Sequence, residues 1–259
     1  MDADAVAEAI VDVAARLILP RFGRLRPDEV DAKKPGDLVT VADTEAEAAL
    51  TAILQADDPR ALIVGEEASF ADPSLVDALP EADHAWVVDP VDGTNNFAQG
   101  DPRFGVLVAE LRGGETVRGW IWQPVAGRMF VAELGAGVRC NGEELGRLSA
   151  AEPARGRVPG RLRRMPPPGF DLRPTSRSCA VDYPLLLTGE TDLLGFTHHH
   201  PWDHAAGVLM LNELGGYAAM HGGGPWRPGD SGRLLFAAAS EDLWRRADAA
   251  LVTDAILGL

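Results

Sequence analysis

The chain has 259 residues, 46% of them hydrophobic, with two cysteines and a formal charge of −15. That length and apolar content can bury a sizeable core, which excludes a disordered chain, and the excess of carboxylates excludes a nucleic-acid scaffold or an anionic membrane surface as the main partner. Cys140 and Cys179 are too few for a disulfide framework and lack the spacing of a thiolate zinc or redox site.

Taken in chain order, the acidic start Met1-Asp2-Ala3-Asp4 has no basic leader, and no apolar run approaches ~18 residues, so the expected location is the cytoplasm. Val6, Ile10, Val13, Ala14, Leu17 and Ile18 recur at three-to-four spacing and predict an amphipathic helix over 5–19 that Pro20 ends. Lys33-Lys34-Pro35-Gly36 reads as a basic, flexible loop ahead of Asp37-Leu38-Val39-Thr40-Val41-Ala42-Asp43. A second helix is predicted over 44–55, with Asp43 at its start, where capping alone could account for a carboxylate. Leu62-Ile63-Val64 predicts a strand running into a turn at Gly65 and then Glu66 and Glu67, a pair that in most loops is simply solvated.

The stretch Trp86 to Phe97 carries the densest chemistry. Val87 and Val88 favour a buried strand, and Pro90, lacking an N–H, is expected to stop its ladder. Asp89 and Asp92, three apart across a turn, can face one point, and two hard anionic oxygens there call for a hard cation such as Mg²⁺. The Val91 carbonyl between them is a third oxygen donor, while Gly93 and Thr94 offer backbone N–H groups and a hydroxyl to a phosphate oxygen.

Beyond it, 104–111, 119–123, 129–133 and 137–140 read as an antiparallel meander, with Trp120 and Trp122 packed in or beside it. Segment 147–173 carries seven arginines against Glu152 and Asp171 and holds Pro166-Pro167-Pro168, so it reads as a mobile basic linker between two lobes, 1–146 and 147–259. Ser178 to Tyr183 should lead a helix, and 193–196 a strand. His198-His199-His200 is extended, which points neighbours to opposite sides and disfavours a three-histidine zinc site. Asp203 opens a helix ending at Gly215-Gly216, 217–220 and 234–238 are strands, and 241–257 is a closing helix. The Gly222-Gly223-Gly224 stretch is a turn, having no phosphate-loop signature.

Four of these motifs, in this order, resemble the inositol monophosphatase family of Mg²⁺-dependent, lithium-sensitive phosphatases: Asp37 to Asp43, Gly65-Glu66-Glu67, Asp89 to Phe97, and Trp202-Asp203-His204-Ala205-Ala206-Gly207. The resemblance covers nearly the whole chain. It implies an α/β (α+β) fold, a layered α-β-α-β-α sandwich of the sugar phosphatase type with an antiparallel first sheet, a smaller second lobe and frequent homodimerisation.

By the same resemblance Glu66, Asp89, Val91, Asp92 and Asp203 are metal ligands for two or three Mg²⁺ ions. Glu66, Thr94 and Asp43 serve the attacking water, Asp92, Gly93, Thr94 and Asp203 bind substrate, and Lys33 or Lys34 approaches the metals. The implied reaction is hydrolysis of a small phosphate monoester by water with no phospho-enzyme. Two departures bear on the substrate: Arg177 stands where the family has a glycine, and Phe196 where inositol phosphatases have an acid that contacts the hydroxyls. These weaken inositol phosphate and leave histidinol phosphate, fructose 1,6-bisphosphate and adenosine 3′,5′-bisphosphate open. A non-catalytic binding module of the same fold would have lost a ligand, and no ligand position is lost.

Overall fold

The computed structural model describes residues 1–34, 37–163, 166–230, 232 and 234–252. In chain order, helix α1 (Ala3–Val13) is capped by Asp2, whose carboxylate accepts the Ala5 N–H at 2.8 Å. Where a single helix was expected to reach residue 19, the chain loosens into a π turn over Ala14–Ile18 and a 3₁₀ turn over Leu19–Arg21 that accommodates Pro20. Strands β1 (Val30–Lys34) and β2 (Asp37–Thr40) form an antiparallel pair, so Lys33 and Lys34 sit on a strand end and not in a free loop; Pro35 and Gly36 lie outside the described residues. Helix α2 (Val41–Asp57), β3 (Leu62–Gly65), and the short helices α3 (Glu66–Ala71) and α4 (Ser74–Asp77) follow.

Strand β4 (His84–Asp92) is buried along its whole length and leads into α5 (Thr94–Ala98). It runs on past Pro90, contrary to the expected stop. Pro90 is accommodated at an irregularity, because ladder pairing skips from Asp89 opposite Leu107 to Asp92 opposite Gly105. Strands β5 (Gly105–Arg112), β6 (Glu115–Gln123), β7 (Arg128–Glu133), β8 (Gly137–Cys140) and β9 (Glu143–Glu144) complete a seven-stranded sheet in the order β3-β4-β5-β6-β7-β8-β9, antiparallel except for the parallel β3–β4 edge.

The basic segment is structured, which corrects the linker expectation. Strands β10 (Ala154–Arg157) and β11 (Phe170–Arg173) flank a 3₁₀ turn over Gly160–Arg163. Ala154 and Gly156 point inward while Arg155 and Arg157 are half-buried, and the Arg155 guanidinium grips the fully buried Asp192 at 2.8 and 2.9 Å. Helix α6 (Cys179–Leu187), β12 (Leu193–Phe196), α7 (Pro201–Glu213), β13 (Tyr217–Met220), β14 (Leu235–Ala238) and α8 (Glu241–Leu251) finish the chain, and the second sheet has the order β11-β10-β12-β14-β13. Part of the predicted closing helix, 253–257, lies outside the described residues.

Strand periodicity of two assigns the faces. Trp86, Val88, Val106 and Val108 pack with Val6, Ile10, Ala46 and Leu50 of α1 and α2, while Val87, Leu107 and Ala109 face Tyr183 of α6 and Ala205, Ala206 and Leu209 of α7. The far side of that helical layer meets Ala218, Met220, Leu235 and Ala237 of the second sheet, whose outer face, Ala219, Phe236 and Ala238, is covered by Leu243, Trp244 and Ala247 of α8. The result is the expected α-β-α-β-α stack. Trp120 is buried in the first sheet and donates its indole N–H to the Ala3 carbonyl at 2.9 Å.

Candidate active site

Every predicted site residue stands at the end of an element. Asp89 and Asp92 close β4, Thr94 starts α5, Glu66 opens α3, Asp43 lies in the first turn of α2, and Asp203 lies in the first turn of α7. Carboxylate oxygens of Asp89, Asp92 and Asp203 fall within 4.8 Å of one another. Asp89 and Asp92 are buried and Asp203 is half-buried. They line a cleft of about 940 Å³ together with Glu66, Gly93 and Thr94.

The electrostatics are adverse without a counter-charge. Burial, followed by repulsion from Glu66, Asp92, Asp203 and Asp43, pushes Asp89 well above the usual carboxylate range. Burial carries Asp92 up to about 6 against the hydrogen bonds from Ser178 and Ala180 that favour its ionised form. An all-oxygen, anionic set of this kind suits a hard divalent cation and offers nothing to a soft one.

Asp43 is held on both sides. Its Oδ2 accepts the Thr40 N–H at 2.9 Å and its Oδ1 accepts the Thr94 hydroxyl at 3.0 Å, the latter also within 3.1 Å of the Val91 carbonyl. Burial raises this carboxyl to about 6. The Thr40 bond is a capping box, so the capping account of Asp43 holds for one oxygen while the other faces Thr94. Gly93 sits at φ 89°, and a Cβ there would lie 3.0 Å from the Arg103 carbonyl and from Ser178, so the turn into Thr94 requires glycine.

Of the two loop lysines, it is Lys33 that reaches inward, its ammonium 2.7 Å from both Glu66 and Glu67. These ion pairs raise Lys33 despite its burial, while burial lifts Glu67 to about 7. The histidine run separates: His199 bonds the Gly232 carbonyl at 2.6 Å, while His198 and His200 line the cleft, His200 stacked on Trp202 at 4.8 Å. Among the described residues the metal-competent cluster contains no histidine.

Sequence reasoning missed two supports. Glu47, buried and one turn after Asp43 on α2, accepts the backbone N–H groups of Glu67 and Ala68 at 2.8 and 2.9 Å, fixing the turn that presents Glu66. Gly65 makes room for it, since a Cβ there would lie 2.2 Å from the Glu47 carboxyl carbon. The i,i+4 relation to Asp43 was the available signal. The other support is Ser178, whose hydroxyl donates to Asp92 at 2.5 Å beside the Ala180 N–H at 2.6 Å, tying β4 to the start of α6.

Fold and site together define a carboxylate-rich cleft whose oxygen donors could hold a hard cation. Comparison with known proteins narrows this class. The profile described as the inositol monophosphatase family matches residues 2–255, and the chain belongs to that family. It is 31% identical to an inositol-1-monophosphatase of Mesorhizobium japonicum over 82% of each chain, and 31% identical to the probable inositol 1-monophosphatase ImpA of Mycobacterium tuberculosis over 88% of this chain and 87% of that one. The solved structure of the Thermotoga maritima IMPase superimposes with a TM-score of 0.80 at 24% identity, covering 98% of both chains, a likeness of fold.

Proposed function

We propose that this chain hydrolyses a small phosphate monoester by attack of water, using two or three Mg²⁺ ions held by Glu66, Asp89, Asp92, Asp203 and the Val91 carbonyl. The observation that carries the reading is the convergence of the Asp89, Asp92 and Asp203 carboxylates beside the hydrogen-bonded Asp43–Thr94 pair. Bound cations would lower the pKa of the attacking water and offset charge on the leaving oxygen.

The chain's own residues supply position and proton transfer. The Thr94 hydroxyl, donating to Asp43, keeps its lone pairs for a water proton, and so orients that water. Asp43, raised to about 6 by burial, is a base matched to neutral pH. Lys33 holds Glu66 and Glu67 in place, and the Gly93 turn brings the N–H groups of α5 toward a phosphate oxygen. The cleft offers no competing nucleophile in Cys179, whose thiol is held protonated by burial and the charge of Asp92.

We propose further that 1–146 and 147–259 act as two lobes of one domain, and that the enzyme works in the cytoplasm as a homodimer. Among the described residues no helix is long and apolar enough to cross a membrane. Inositol 1-phosphate, histidinol phosphate, fructose 1,6-bisphosphate and adenosine 3′,5′-bisphosphate are the candidate substrates. The test is phosphate release from these esters with and without Mg²⁺, on the parent and Asp92→Asn. Metal-dependent turnover that collapses in the variant supports the reading, and none from any ester by the folded parent overturns it.

A further inference from the structure

The cleft wall carries an arginine that has no partner among the described residues. Arg177 lines the cleft, is exposed, and makes no hydrogen bond or ion pair among the described residues. Lys33, by contrast, is spent on Glu66 and Glu67. In an acidic chain, an arginine left free beside buried carboxylates is an electrostatic vacancy awaiting an anion.

Its backbone adds a second, independent sign. Arg177 sits at φ 61°, a left-handed conformation that a side chain disfavours and that glycine would adopt without strain. The strain is held from both flanks. The Ser176 N–H donates to both Asp182 oxygens at 3.0 Å, the Ser176 carbonyl accepts Asn96 Nδ2 at 2.9 Å, and Ser178 is bonded to Asp92. A strained residue whose backbone is fixed on both sides, one position from the side chain that bonds Asp92, keeps its place on the cleft wall.

Guanidinium recognises phosphate through a planar, bidentate fork. The reacting phosphate belongs at the carboxylate cluster, which leaves the Arg177 guanidinium available to a second anionic group of the same substrate. The cleft, about 940 Å³, lies at the large end of the roughly 300–1,000 Å³ usual for small-molecule sites and has room for one. Buried Phe196 on the same wall offers nothing to the hydroxyls of a bare polyol.

Resting on the phosphatase reading above, we infer that the cleft selects an ester whose leaving group carries a second phosphate, and that Arg177 is the residue that reads it. The test uses matched pairs, fructose 1-phosphate against fructose 1,6-bisphosphate and adenosine 3′-phosphate against adenosine 3′,5′-bisphosphate. Values of kcat/KM are measured on the parent, Arg177→Gly and Arg177→Lys, with p-nitrophenyl phosphate as an indifferent ester. The parent should favour the bisphosphate member of at least one pair by on the order of ten- to a hundredfold, mostly in KM. Arg177→Gly should lose most of that ratio without a lower melting temperature, its backbone strain relieved, and Arg177→Lys should fall between. Mg²⁺-dependent release from p-nitrophenyl phosphate with no bisphosphate preference in either pair, or a preference that survives Arg177→Gly, overturns this inference alone. Absence of Mg²⁺-dependent release from every ester overturns the phosphatase reading and this one with it.

Discussion

Asp43→Asn should make the metal-free protein more stable while disabling it. The carboxyl is fully buried and rises from 3.8 to about 6, chiefly through burial. A carboxyl whose folded pKa lies above its unfolded one weakens the fold as pH rises through that interval: the cost is absent below pH 3.8 and complete above about 6. At ~1.4 kcal/mol per pH unit the interval amounts to about 3 kcal/mol at pH 7. Asparagine has no charge to bury, but its amide can no longer accept at both Thr40 and Thr94, a loss of about 1 kcal/mol. The net gain of about 2 kcal/mol corresponds to a melting temperature ~4–8 °C higher for a chain of this size. Melting curves in chelator at pH 7 and pH 5 measure it, and the gain should shrink at pH 5, where the parent's carboxyl is protonated. Phosphate release should fall by a factor on the order of 10² or more. A variant that melts lower than the parent at pH 7, or by the same offset at both pH values, would show that Asp43 is an ordinary helix cap and sink the reasoning.

Three further outcomes follow from the packing. Glu47→Gln turns an amide donor toward an N–H of Glu67 or Ala68, so Mg²⁺ affinity, read by titration, should drop about 10–100-fold with the fold intact by circular dichroism. Gly207→Ala would place a Cβ 2.3 Å from the Tyr183 ring between α6 and α7 and should cost about 1–3 kcal/mol in urea denaturation. Arg155→Ala leaves the fully buried Asp192 carboxylate without its charge partner; because the Arg155 side chain is itself 41% exposed and water can enter in its place, the cost should be about 1–2 kcal/mol in urea denaturation, with faster amide exchange in strand β10.

The site was legible because each of its pieces is a short contiguous run at an element's end: a strand ending in Asp89 and Asp92, a turn at Gly65, helix starts at Asp43 and Asp203. The layer order followed from the family resemblance. What local reading could not supply was anything held across the chain. Segment 147–173 looked like a linker because seven arginines faced only Glu152 and Asp171, whereas Arg155 finds Asp192 beyond α6. The alternation Ala154-Arg155-Gly156-Arg157 was the signal of a half-buried strand, masked by composition. Glu47 drew no reading because its partners are backbone N–H groups on a turn about twenty positions away.

The bond from Ser178 to Asp92 spans 86 residues of sequence, and Asp203 is still further along. During synthesis, therefore, the ribosome must deliver the first sheet, β10 to β12 and the start of α7 before the carboxylates can meet. A nascent chain halted after β9 carries Asp43, Glu66, Asp89, Asp92 and Thr94 yet lacks the groups that orient Asp92 and close the cluster. Cation capture thus becomes a late event, one that waits on elements from both halves of the chain.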